Sequence, residues 1–199
     1  MRKIILDCDP GHDDAVAILL AAGNPDIELL GLTTVGGNHT IDHVTRNAQQ
    51  VLTVAGLTSV PVYRGATRPL LNDVVTAEDI HGDTGMEIHG FDLPEPAVPV
   101  GEIGAVQWIV DTLMREEPGT VTLVPTGPLT NIALAARLEP RIVPRVREVE
   151  RQPRRAALLH PEHRRDHRHR PRDGHGDDVQ DGGRGLSLGI TIHNRNAQE

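Results

Sequence analysis

Four aspartates lie within eight residues near the start of the chain, directly after the apolar run Ile4-Ile5-Leu6. They are Asp7, Asp9, Asp13 and Asp14, in the segment Asp7-Cys8-Asp9-Pro10-Gly11-His12-Asp13-Asp14. Carboxylates this close repel one another unless a positive charge lies among them. Because hard divalent cations such as Ca²⁺ prefer all-oxygen ligands, the cluster indicates a cation site.

The same residues also have a purely structural interpretation. Pro10-Gly11 is typical of a turn, and Asp13 and Asp14 would complement the positive end of a following helix. That interpretation is sufficient for any two of the aspartates. All four together, where a strand ends and a helix begins, favour the cation site.

The elements that must bring these side chains together alternate between strand and helix up to about residue 148. Strands are predicted at 3–7, 27–35, 60–63 and 120–124, and helices at 12–22, 41–55, 103–115 and 128–138. Residues 64–100 are predicted to be mostly loop with one short helix, and 141–149 a short amphipathic continuation after the last helix. This alternation predicts an α/β fold, an open, mostly parallel, Rossmann-like sheet with helices on both faces.

Polar, turn-forming residues follow three of the predicted strands. They are the aspartate cluster, Asn38 after Gly36-Gly37, and Thr126 before Gly127-Pro128. Ligands of such sheets bind beyond the carboxyl ends of the strands, so we expect all three segments along one edge. Taken singly, Asn38 is a turn residue and Thr126 a helix cap. Their shared position beside the aspartates makes both candidate site residues.

Composition argues against several classes of protein. The net charge of −8 over 199 residues gives no general reason to expect nucleic-acid binding. The single cysteine, Cys8, allows no internal disulfide and is consistent with a reducing cytosol. No apolar run approaches the ~18 residues of a membrane span, and the first residues are typical of a strand and not of a signal peptide. We therefore expect a cytoplasmic protein without a membrane segment.

The composition changes near residue 149. Residues 1–150 carry 10 Arg or Lys against 21 Asp or Glu, whereas residues 151–199 carry 10 Arg against 7 acids. Between residues 151 and 184, 20 of 34 residues are Arg, His, Asp or Glu and only five are apolar. Such a segment cannot bury enough apolar surface to offset its ordering entropy. We predict an α/β domain at 1–149 and a disordered, Arg/His-rich tail at 150–199.

Four motifs, in the same order, resemble those of the inosine–uridine-preferring nucleoside hydrolases. The motifs are Asp7–Ala15, Thr33–Asn38, His81–Met86 and Val124–Asn131. The resemblance extends from about residue 2 to residue 149, roughly three quarters of the chain. It implies a nucleoside-hydrolase-like fold, hydrolysis of the N-glycosidic bond of ribonucleosides to ribose and a free base, and a tightly held Ca²⁺.

The resemblance also implies a role for each metal-binding residue. Asp9 would ligate Ca²⁺ and act as general base on a metal-bound water. Asp14 would be a second, bidentate ligand, and Asp7 would ligate the ion or orient its neighbours. Thr126 would offer its backbone carbonyl to the ion.

The remaining implied roles concern the substrate, a small-molecule ribonucleoside. Asp13 would hold a ribose hydroxyl, Asn38 would contact the ribose, and His81 would lie on a mobile loop near the pocket. Members of the family commonly form homo-oligomers, and for this shortened chain the sequence leaves the oligomeric state open.

The resemblance stops abruptly after Val149. The family continues there with an apolar strand and a Gly-rich turn, whereas this chain reads Glu150-Arg151-Gln152-Pro153. The family's later Glu-Phe-Asn segment and His-Asp pair supply ribose contacts, leaving-group protonation and another Ca²⁺ ligand, and neither has a counterpart. Residues 182–191 faintly resemble a late strand of the family. We expect a truncated or out-of-frame version of the fold with weak or no activity.

Two interpretations of the tail differ in function. Its histidines could form a metal tract and its Arg run an RNA-binding arm. Arg-rich sequence without Lys or aromatic residues is also typical of an out-of-frame reading of a high-GC gene, which we favour, since no aromatic residue interleaves the Arg run. For the whole chain the alternative to an enzyme is an inactive fragment that at most binds Ca²⁺ or a ribosyl ligand.

Overall fold

The structure, a computed structural model, describes residues 1–71, 73–88 and 90–150. The strands of this part are β1 (Arg2–Cys8), β2 (Ile27–Thr34), β3 (Val62–Arg64), β4 (Val121–Pro125) and β5 (Val146–Val149). The helices are α1 (His12–Gly23), α2 (Ile41–Val54), α3 (Glu78–His81), α4 (Ala105–Arg115), α5 (Thr130–Leu138) and a 3-10 helix (Pro140–Arg145). Apart from Glu150, the predicted tail at 150–199 lies outside the described residues.

The strands form one parallel sheet in the order β3-β2-β1-β4-β5. The chain builds the sheet outward from β1 to β3 and then crosses back to add β4 and β5 on the other side. This reversal of direction beside β1 creates a crevice at the carboxyl ends of the strands. The parallel sheet with its helices confirms the predicted fold class.

Alternate side chains of β1 enter two different hydrophobic cores. Ile5 packs in the core that contains Leu113 of α4, and Leu6 packs in the core that contains Ile18 of α1 and Leu52 of α2. All five side chains are buried. A strand covered on both faces has to be apolar at successive positions, which explains the run Ile4-Ile5-Leu6.

Most predicted element bounds agree with the structure to within two residues, and the long loop does carry one short helix, α3. The prediction for residues 141–149 was wrong. Its first part is a 3-10 helix with Pro144 inside it, and its second part is β5, which pairs with Val121–Leu123 of β4. Proline disfavours a regular α-helix, and pairing in the sheet outweighs the weak local preference of Val146–Val149.

None of the helices in the described part of the chain has the length and apolar composition that crossing a lipid bilayer would require.

Candidate active site

The three polar segments meet at the carboxyl ends of β1, β2 and β4, as predicted. Asp7, near the end of β1, lies opposite Thr33 of β2 and Pro125 of β4 in the register of the sheet. After β1 ends, Asp9 and Pro10 lead directly into α1. The parallel strand order therefore brings together residues that are far apart in the sequence.

The Asp9 carboxylate is buried between two glycine-containing backbone segments. Its Oδ2 accepts a hydrogen bond from the backbone N–H of Asn38 at 2.7 Å, and Nδ2 of Asn38 donates to the Asp9 carbonyl oxygen at 3.1 Å. A Cβ atom added to Gly37 would overlap Asp9 Oδ2, and one added to Gly127 would lie 2.6 Å from Asp9 Oδ1. The site therefore requires glycine at both positions, because a side chain there would displace the carboxylate.

Asp14, in the first turn of α1, lies against Asp9. The backbone N–H of Asp9 donates to Asp14 Oδ2 at 3.1 Å, and the charge of Asp14 acts directly on the Asp9 carboxyl group. Burial raises the pKa of Asp9 to about 8, with the nearby charge of Asp14 adding to the rise, and burial also raises the pKa of Asp14. These surroundings therefore disfavour the state in which both carboxyl groups are charged.

Asp7 is also buried, at 1% exposure. Its Oδ1 accepts hydrogen bonds from Thr33 Oγ1 at 2.6 Å and from Asn131 Nδ2 at 2.8 Å, whereas its buried Oδ2 accepts none from the residues that the structure describes. Burial raises the pKa of Asp7 to about 6, although both hydrogen bonds lower it. A buried carboxylate oxygen without a partner is costly, so a ligand at this position would be favoured.

The other predicted residues surround these three aspartates, with one exception. Asp13 is exposed in the first turn of α1, and its charge adds to the raised pKa values of Asp9 and Asp14. Thr126 is half-buried, and the Asp7 carbonyl oxygen accepts from both its hydroxyl, at 3.4 Å, and its backbone N–H, at 2.9 Å. His81 is the last residue of α3, and its side chain lies outside the described part of the chain.

Comparison with known proteins identifies the family. The sequence pattern of the inosine-uridine preferring nucleoside hydrolases matches residues 4–150. The chain belongs to this family. Two nucleoside hydrolases of the same description, from Crithidia fasciculata and Leishmania major, are 60% and 59% identical to it over 148 residues. Each alignment covers 74% of this chain and 47% of the relative, so the chain spans about half the length of the curated relatives it matches.

Solved structures of nucleoside hydrolases have the same fold. The purine-preferring ribonucleoside hydrolase from Gardnerella vaginalis matches with a TM-score of 0.69 and 33% sequence identity. The match covers 75% of this chain and 48% of that one. The family resemblance stated from the four motifs is therefore confirmed.

The buried aspartates of this chain supply some, but not all, of the ligands that a divalent cation needs. Within residues 1–71, 73–88 and 90–150, no three His, Cys, Asp or Glu side chains are arranged to hold a metal ion by themselves. Burial nevertheless raises the pKa of both Asp9 and Asp14, the charge of Asp14 raises that of Asp9 further, and Asp7 Oδ2 lacks a hydrogen-bond partner among the described residues. A cation would relieve the repulsion between the charged carboxyl groups, and oxygen donors suit a hard ion. Further ligands would have to come from water, substrate or other residues.

Sequence reasoning missed two buried residues that hold Asp7, Thr33 of β2 and Asn131 of α5. Thr33 lies opposite Asp7 in the sheet register, so the pairing of β1 with β2 could have identified it. Asn131 lies inside the fourth motif, but its contact with Asp7 depends on β4 lying beside β1. The spacing of residues along the chain does not predict that strand order.

Proposed function

We propose that this chain carries the cation and ribose side of a Ca²⁺-dependent ribonucleoside hydrolase site. The reaction would split the N-glycosidic bond of a purine or pyrimidine nucleoside with water and give ribose and a free base. The observation that carries the proposal is the burial of Asp7, Asp9 and Asp14 together at the end of the central strand, with Asp14 bonded to the Asp9 backbone N–H. Buried carboxylates this close repel one another when charged, and a divalent cation among them would relieve that repulsion.

Asp9, Asp14, Asp7 and the backbone carbonyl of Thr126 would hold the ion. When bound, Ca²⁺ is a weak Lewis acid that brings water and the ribose hydroxyls together. Asp9 would then be ionised and would accept a proton from the attacking water. The hydrogen bond from the backbone N–H of Asn38 to Asp9 Oδ2 fixes the rotation of the carboxylate for this role.

Asp13 and Asn38 would bind the ribose. Asp13 is exposed beside the buried aspartates, and Asn38 is half-buried with its backbone N–H bonded to Asp9 Oδ2. Breaking the ribosyl C–N bond places positive charge on the sugar, which the negative charges of the aspartates would stabilise. The role of His81 near the substrate rests on the family resemblance alone.

We expect the turnover of this chain to be weak. The sequence has no counterpart of the family's later Glu-Phe-Asn segment and His-Asp pair, and general acid–base help alone contributes about 10²–10⁴-fold. The alternative is a chain that binds Ca²⁺ or a ribosyl ligand without turnover. A cytoplasmic location and a role in nucleoside catabolism and salvage stay predictions.

Release of free base from inosine and from uridine, measured with and without EDTA, tests the proposal. We expect slow turnover that EDTA abolishes and added Ca²⁺ restores. Calorimetry with Ca²⁺ and with ribose identifies the alternative, because binding without turnover would support it. Turnover that EDTA leaves unchanged would contradict the metal role.

A further inference from the structure

We propose that Asn131 is a positioning residue, which fixes the Asp7 carboxylate so that the protein holds one oxygen and the other is left for the cation. The inference rests on the proposed function, because it concerns an aspartate that is assigned there to the ion. Asn131 itself would touch neither the ion nor the substrate.

The side-chain amide of Asn131 joins three segments of the chain. It is fully buried in the first turn of α5. Its Nδ2 donates to Asp7 Oδ1 at 2.8 Å and to the Thr34 carbonyl oxygen at 2.9 Å, and its Oδ1 accepts from the backbone N–H of Ala66 at 2.9 Å. The amide thus connects β1, the end of β2 and the loop after β3.

These partners allow only one orientation of the amide. Asp7 Oδ1 and the Thr34 carbonyl both need a donor, whereas the Ala66 N–H needs an acceptor. If the oxygen and nitrogen of the Asn131 amide were exchanged, all three contacts would be lost. The surroundings of Asn131 therefore fix the position of its amide and require that Nδ2, and not Oδ1, faces Asp7.

Asn131 and Thr33 together leave one carboxylate oxygen of Asp7 without a hydrogen-bond partner among the described residues. Thr33 Oγ1 donates to the same Oδ1 at 2.6 Å, so both side-chain donors converge on one atom. Oδ2 is buried and accepts no hydrogen bond from the described residues. Rotation of the carboxylate would break both bonds, so Oδ2 stays available to a cation or to a water bound to it.

Close packing makes this arrangement rigid. A Cβ atom added to Gly65 would overlap both polar atoms of the Asn131 amide and the Thr34 carbonyl oxygen. Ala135, one turn further along α5, is fully buried in the core. The amide therefore has little freedom to move away from Asp7.

The Asn131→Asp variant is the sharpest test, because it keeps the shape of the side chain and removes both donors. Thr33→Val removes the other donor to Asp7 Oδ1 and keeps a β-branched residue in β2. Gln50→Leu is the matched control: Gln50 is a buried amide of α2 that donates to the Pro94 carbonyl oxygen and, among the hydrogen bonds of the described residues, makes none to Asp7, Asp9 or Asp14. The full chain and each variant are compared by calorimetric titration with Ca²⁺ and by urea unfolding.

We expect Asn131→Asp to weaken Ca²⁺ binding by about 10–100-fold, the usual effect of losing a group that orients a metal ligand. Thr33→Val should weaken it by a smaller factor, and Gln50→Leu should lower stability with no change in Ca²⁺ affinity. A folded Asn131→Asp protein with unchanged affinity, or an equal loss in Gln50→Leu, would overturn the inference. If Asn131→Asp does not fold, an unchanged Ca²⁺ affinity of Thr33→Val would overturn the inference instead.

The hydrolase function and the positioning role of Asn131 are rejected by different measurements. Ca²⁺ binding without release of base by the unmodified chain would reject the hydrolase, and the affinities of the variants would still decide the role of Asn131. If the unmodified chain binds no Ca²⁺, the positioning role is rejected, whatever the rate of base release.

Discussion

The buried aspartates should make the stability of the Ca²⁺-free chain fall as the pH rises. An unperturbed aspartate has a pKa of 3.8, whereas burial raises the pKa of Asp7 to about 6 and that of Asp9 to about 8. Between these values the folded state binds more protons than the unfolded state. The free energy of unfolding therefore decreases as the pH rises from about 4 to about 8.

The size of the effect can be worked out for Asp7. The difference between 3.8 and about 6 corresponds to about 3 kcal/mol, at about 1.36 kcal/mol per pKa unit. Most of that stability is lost between pH 4 and pH 7, and the pair of Asp9 and Asp14 acts in the same direction. A domain is typically stable by only about 5–15 kcal/mol, so the change is large enough to measure.

Ca²⁺ should counteract this loss. It favours the charged carboxylates, and a free concentration of 100 times its Kd would add about 2.7 kcal/mol to the free energy of unfolding. The stability of the Ca²⁺-loaded chain should therefore depend less on pH than that of the chain in EDTA.

Urea unfolding in EDTA, followed by the fluorescence of the single tryptophan, Trp108, measures the effect between pH 4 and pH 8. The Asp7→Asn variant is the matched comparison, because it removes one ionisable group and keeps the shape of the side chain. We expect the variant to gain stability relative to the unmodified chain by about 2–3 kcal/mol over this range. Identical pH dependence of the two proteins in EDTA would refute the reasoning.

Three other substitutions test the site and the core. Asp9→Asn should lower base release by at least about 10²-fold, whereas Asp111→Asn, on the exposed surface of α4, should leave the rate unchanged. Gly37→Ala should weaken Ca²⁺ binding in calorimetry by displacing a carboxylate, whereas Gly23→Ala, whose added Cβ meets no atom within 4 Å, should not. Leu123→Ala should cost about 2–5 kcal/mol in urea unfolding, since Leu123 is buried in the core beside α4, and a loss well below this would contradict the packing.

The elements around the site were predictable because their local patterns are strong. The apolar run of β1 and the acidic start of α1 indicate a strand and a helix without any knowledge of the fold. Val146–Val149 has no such pattern, since half of its residues are charged and it has only four. It becomes a strand by pairing with β4, which only the tertiary structure determines.

The site was predictable where its residues are close in sequence or follow parallel strands. The aspartates occupy one strand-to-helix connection, and the rule for parallel sheets placed Asn38 and Thr126 at the same edge. The partners of Asp7 were not predictable in this way. Asn131 is 124 residues away, and the convergence of two donors on one carboxylate oxygen depends on side-chain rotamers that spacing does not determine.

The central position of β1 also affects how the protein can fold during synthesis. Asp7 is 26 residues from Thr33 but 124 residues from Asn131, so β2 can pair with β1 long before β4 has left the ribosome. Until then one side of β1 remains open and its acidic residues remain partly hydrated. Thr33 and Asn38 can bond the aspartates at that stage, whereas the slower, distant contacts with Gly127 and Asn131 form only when β4 and α5 dock. A cation that arrives at this last stage would be enclosed as the chain closes around it.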